Sequence, residues 1–218
     1  MRDMRKSKEY FQTFLDYQYS RIEKKMAKLK DSDNAKQQRI LVSLTGFETD
    51  LLKAEFSAGA SKENLKTLLI RALDICRVYK DITYGDVLDL LALSIMVGLS
   101  HDVKKFIEAN HELVSHDRLL NCLAEYIGGN KCSWDLNLSL KAEFVGLNDV
   151  FGAEDKETAM KTYLKEWYIN HAKYAWYDSH LKDTDTYCGY WSFESAAVAK
   201  ILGLKEEMLV ELVYYPVI

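Results

Sequence analysis

"VLDLLALSIMVGL" (Val87–Leu99) carries a single charge, Asp89, in an otherwise apolar run. A bilayer span needs ~20 apolar residues, so this run is too short to cross one. It predicts the central helix of a protein core. Its ends agree with that reading. Thr83 and Asp86 stand before it at capping-box spacing. Gly98 after it suits the left-handed residue that closes a helix, and Leu99 the apolar residue that folds back.

The helical pattern continues on both sides. Residues 8–29 place Phe11, Leu15, Gln18, Ile22, Met26 and Leu29 on one face. A turn at Lys30–Lys36 precedes a second helix over 37–56. Ser61 can cap a third helix that carries Leu65, Leu68, Leu69, Ala72, Ile75 and Val78. Shorter helices are expected near 102–109, 116–127 and 137–146, and a long one over 157–181. "TYCGYWSFESAAVAKILGL" (Thr186–Leu204) reads as a last helix. Gly98-Leu99 has counterparts at Gly146-Leu147 and Gly203-Leu204, three junctions of one kind at irregular spacing. Strand alternation is suggested only in the tail "LVYYPVI" (Leu212–Ile218). One Pro and 10 Gly in 218 residues leave little to interrupt helices. The expected class is all-α, an irregular stack of antiparallel helical hairpins around the central apolar helix. Residues 1–80 and 81–218 are read as two regions of one continuous unit.

Net charge is −4, unevenly spread. Residues 1–40 hold 11 Lys and Arg against 6 Asp and Glu, whereas 41–218 hold 18 against 27. An acidic body is no surface for nucleic acid, which favours concentrated basic charge. It suits a basic protein partner. The charged start "MRDMRKSKEY" is not followed by the apolar core of an export signal. Cys76, Cys122, Cys132 and Cys188 are far apart, with no Cys-x-x-Cys. They are expected as reduced thiols in a cytoplasmic protein.

Catalytic patterns are scarce. The five histidines make no His-x-x-x-His pair, "DSDN" (Asp31–Asn34) lacks the rest of a calcium loop, and no Gly-rich phosphate loop occurs. No metal and no cofactor are expected. A thiol hydrolase would need Cys188 at a helix N-terminus, with His180 and Asp178 or Asp185 in support. A structural thiol outweighs that reading. The 157–181 segment places His171 and Asp178 two turns apart on one face, with aromatic groups around most of the circumference. In the last helix, Tyr190, Phe193, Ala197, Val198 and Ile201 gather on one side with Glu194 in their midst. An unpaired buried carboxylate is strongly destabilising. His171, Trp176, His180, Tyr190, Trp191 and Glu194 are therefore read as one buried polar network, with Glu194 as its strut.

The two ends carry a more specific signal. Met1-Arg2-Asp3 with its Tyr- and Arg-rich helix, Gly189-Tyr190-Trp191, Phe193-Glu194, Ala196-Ala197, the Ile201–Leu204 ending and Tyr214-Tyr215-Pro216 resemble the terminal signatures of the PoNi family. These are immunity proteins of bacterial polymorphic toxin systems, directed against PoNe DNase toxins. "KEEMLVELV" (Lys205–Val213) departs from the pattern, being more apolar than the loop expected there. The resemblance implies no catalysis. It implies binding to a cognate PoNe-type nuclease, either over its DNA groove or from outside it, with no membrane and no direct nucleic-acid partner. Under that reading the exposed acids become toxin contacts: Glu143, Asp149, Glu154, Asp155 and Glu157, then Asp178, Asp183 and Asp185. The alternative is a helical adaptor for a partner that is not a nuclease.

Overall fold

The computed structural model describes residues 1–79 and 82–218. The boundary expected between residues 80 and 81 falls on the two residues outside that set. The chain is all-α: among the described residues there is no strand, only one bridge between Asp117 and Ser139. The tail expected to alternate is irregular.

Capping side chains start the first four helices. Ser7, Asp33, Ser61 and Thr83 accept from the backbone N–H three residues on, opening α1 (Lys8–Lys30), α2 (Asn34–Ala58), α3 (Lys62–Cys76) and α4 (Tyr84–Val97). Each such cap is worth ~1 kcal/mol. α1 and α2 pack as a hairpin, and α3 lies against α2 and α4. α4 is the core helix, with every residue from Val87 to Val97 buried except Asp89. α5 (Val103–Ala109), α6 (His111–His116) and α7 (Arg118–Ile127) follow, then α8 (Leu147–Gly152), α9 (Lys156–Asn170) and α10 (Phe193–Leu202). α7 and α10 both pack on α4. No helix among the described residues is long and apolar enough to cross a membrane.

Gly98 and Gly203 end α4 and α10 in the left-handed conformation, and the next residue's N–H returns to Ser94 and Ala199 respectively. Gly146 does not match them. Its φ is −60° and it precedes α8, so it opens a helix rather than closing one.

Three expected helices change shape for tertiary reasons. Residues 137–146 form only a 3-10 turn at Ala142–Phe144. Upstream of it the buried Arg118 guanidinium claims the carbonyls of Asp135, Leu136 and Leu138 at 2.7–2.8 Å, which fixes a loop. α9 stops at Asn170 instead of reaching Leu181. Beyond it come i→i+3 turns, with Asp178 left-handed at φ 56° and held by the Tyr168 hydroxyl at 2.7 Å. α10 begins only at Phe193, so Tyr190 belongs to the irregular segment before it. The cysteine expectation is also corrected. Cys122 and Cys132 form a disulfide, because the chain after α7 turns back and brings their Cα atoms within 4.7 Å.

Candidate functional site

The C-terminal motif closes the fold by meeting both the N-terminus and α2. Arg2 donates to the carbonyls of Val217, Phe56 and Ala60 at 2.7–3.0 Å. Asp3, 1% exposed, accepts from Arg5 and from the Tyr187 hydroxyl. Gly189 lies over Ser57 at φ 114°, where a Cβ would fall 2.0 Å from the Ser57 hydroxyl. Only glycine fits there. Trp191 then donates its indole N–H to the same hydroxyl at 2.9 Å and packs edge-on against Phe56.

Glu194 sits in the first turn of α10, where the helix dipole favours a carboxylate. It is 2% exposed. Tyr163, Trp167 and Ser192 all donate to its Oε1, at 2.6, 2.7 and 2.6 Å. Among the described residues the side-chain donors all reach this one oxygen. Burial pushes the carboxyl up, opposed by nearby His171 and by the Ser192 and Tyr163 hydrogen bonds. His171 donates from Nδ1 to the Trp167 carbonyl at 2.6 Å, and its ring packs against Trp167 and Trp176.

The expected network resolves into separate pieces. His171 and Trp176 pack with Trp167 beside Glu194. His180 instead joins the Tyr190 hydroxyl, with Ser179, at 3.0–3.1 Å. Trp191 belongs to the contact with α2.

Trp167, His171, Trp176, Tyr190, Trp191 and Glu194 line a cavity of about 450 Å3 shared by α2, α4, α9 and the segment before α10. Lys53 and Asp89 form an ion pair inside it at 2.7 Å, with side chains 24% and 17% exposed. Burial lowers the Lys53 ammonium, but Asp89 and the neighbouring Cys188, Asp86 and Asp50 more than offset this and hold it charged. Asp50 lines the same space, and the Cys188 thiol donates to it at 3.9 Å. Burial pushes the Asp50 carboxyl up. Aromatic walls come from Tyr84, Trp167, Trp176, Tyr190, Trp191 and Phe193. Exposed Thr83, Gly85, Lys141 and Thr186 mark the mouth.

Asp50, Lys53 and Asp89 were not singled out as site residues from the sequence. Their signal was a charge on an otherwise apolar helix face: Lys53 within "DLLKAEF" and Asp89 within the central run. The hydrolase arrangement does not assemble. Cys188 lies five residues before α10, its thiol is pushed up by burial and by Asp50, and His180 is committed to Tyr190.

The acids read as toxin contacts differ in their freedom. Glu143 is not a surface acid: it is 4% exposed and accepts from Lys173 and Tyr174. Those bonds hold its carboxyl below the usual range despite burial. Asp178 is held by Tyr168, Asp155 caps α9 through Thr158, and half-buried Glu157 accepts from the Lys205 N–H at 3.4 Å. Asp149, Glu154, Asp183 and Asp185 are exposed, and no side-chain donor reaches them among the described residues.

Residues 115–217, just under half of the chain, match the family model for the C-terminal region of PoNe immunity proteins (PoNi). The likeness is to that family's C-terminal region. The match takes in Trp167, His171, Gly189, Trp191 and Glu194, so the matched region builds one side of the cavity and α2 and α4 the other. A crystal structure of protein PA2201 from Pseudomonas aeruginosa superposes with a TM-score of 0.67 at 14% identity, covering 92% of this chain and 84% of that one. At that identity the likeness is one of fold. No curated protein matches the sequence.

Proposed function

We propose that the protein neutralises a bacterial DNase toxin of the PoNe type by binding it, and so protects the producing cell. The match of residues 115–217 to PoNe immunity proteins carries this reading. The free acids Asp149, Glu154, Asp183 and Asp185 support it, because an acidic surface speeds encounter with a basic nuclease. No catalytic step is assigned to the protein. The role places it in the cytoplasm, where the Cys122–Cys132 bond would be unusual. A hydrophobic cluster that runs from Phe11 to Tyr215 supports one continuous unit across the 1–80 and 81–218 regions.

Co-expression with the nuclease encoded beside it tests the reading. Survival together with a co-purifying complex is the expected result. Death with no complex, despite soluble expression, would favour an adaptor for another partner.

A further inference from the structure

Among the described residues the cavity gathers more carboxyl groups than cationic side chains. Asp50, Asp89 and Glu194 face into it and Asp86 lies near its mouth, against Lys53 and Lys141. Lys53 is spent on Asp89. Lys141, exposed at the mouth, lies 4.3 Å from the Tyr84 ring centroid. Among the described residues Asp50 receives only a thiol, and the three side-chain donors to Glu194, itself 2% exposed, all fall on one oxygen. Buried Glu143, by contrast, has both oxygens engaged, by Lys173 and Tyr174.

The volume, about 450 Å3, falls in the ~300–1,000 Å3 range of small-ligand sites. Aromatic rings form a large part of the walls. Ring faces and spare carboxylate oxygens together recognise one chemistry: an organic cation, held by its charge and by the ring quadrupoles. A planar guanidinium suits this best, because it stacks on rings while it pairs with a carboxylate.

We propose that the cavity receives a basic side chain, arginine fitting best, presented by the bound toxin. This rests on the immunity reading above. The mouth supports a protein-borne source: its lip residue Thr186 adjoins Asp185, and Asp183 lies two residues further back, so the free acids that would attract a basic surface stand beside the opening. Arginine buried in a pocket is also a common centre of binding energy at protein interfaces. Asp183 and Asp185 then act in encounter, and Asp50 and Glu194 in retention.

Calorimetry of the full-length protein with the adjacent nuclease tests this, using Asp50→Asn and Thr186→Trp. Asp50→Asn removes a charge without touching the Lys53–Asp89 pair, and Thr186→Trp narrows the mouth from an exposed position. Each is expected to weaken binding about tenfold or more, mainly through faster dissociation. One Arg→Gln or Lys→Gln change on the toxin should weaken the wild-type complex equally while costing little further against Asp50→Asn. Arginine amide added to the free protein should quench emission from Trp167, Trp176 and Trp191, with glutamine amide as the neutral control.

Wild-type affinity in both variants, with wild-type binding intact, would overturn the proposal and leave the immunity reading standing. No binding by the wild-type protein would overturn the immunity reading itself. Tight quenching by arginine amide or spermidine beside unaltered toxin binding would make the cavity a small-cation site and overturn the protein-borne source. Should Asp50→Asn fail to fold, Thr186→Trp decides alone.

Discussion

Glu48 and Glu194 are both buried carboxylates, and the fold treats them differently. Glu48, on α2, is fully buried and its Oε2 takes two hydrogen bonds from Arg71 on α3, at 3.0 and 2.7 Å. Its Oε1 has no partner among the described residues, but a cation is already in place. Glu194 is given three neutral donors on one oxygen and no cation in direct contact. The first site is closed by its own arginine. The second fixes the position of a charge and leaves it short of a counter-ion beside a cavity. A buried ion pair joins two helices; a buried carboxylate with only neutral donors is a place where something else can bind.

The sharpest way to break the comparison is Gly189→Ala. The new Cβ would meet Ser57 Oγ at 2.0 Å in a left-handed backbone, and we expect a loss of about 3 kcal/mol or more in urea denaturation.

Next comes Glu194→Ala, which orphans the Tyr163, Trp167 and Ser192 donors and should cost about 2–4 kcal/mol. Toxin binding should then fall in step with unfolding. Glu194→Gln keeps an acceptor and should cost about 1 kcal/mol. A Glu194→Ala protein as stable as the wild type would remove its role as a strut.

Arg71→Ala strips Glu48 of its cation. Arg71 is 38% exposed, so water replaces part of what is lost, and about 1–2 kcal/mol is expected. Toxin affinity should be unchanged.

Acidity distinguishes the sites more gently. Burial raises Asp50 and Glu194 above ordinary carboxyl values. The folded state therefore holds protons that the unfolded chain has released. The stability this contributes is complete below about pH 4, the unfolded carboxyl range, and is lost as pH rises through the folded values. Thermal melts should fall across that window, and Asp50→Asn should flatten the slope.

The smallest structural effect belongs to Asp183→Lys with Asp185→Lys. Both positions are exposed, so the melting temperature should hold while association at low salt slows. An unchanged association rate would remove this loop from the contact surface.

Much of the helical frame was legible because its signals are local. Ser61 and Thr83 cap the helices they precede, and Gly98 and Gly203 end theirs, since a cap involves groups only a few residues apart. Gly146 shows the limit. It shares the dipeptide with those two, yet what decides its φ is the chain around it, not the Leu that follows. The 137–146 and 171–181 segments have helical composition, but Arg118 and the Tyr168 hydroxyl draw their backbones into turns. Glu194 was legible as a buried carboxylate from its apolar neighbours. Its partners were not, because Tyr163 and Trp167 reach it from another helix.

The sequence by itself determined an all-α chain, a central helix on the apolar run that begins at Val87, several caps, the PoNi-like ends and the presence of a carboxylate inside. Those follow from periodicity and from groups that interact within a turn of one another. Only the tertiary structure decided that Asp50, Lys53, Asp89, Cys188 and Glu194 share one cavity, and that Cys122 finds Cys132. Residues so distant along the chain meet only when packing of the intervening helices brings them together, and no local pattern encodes that distance.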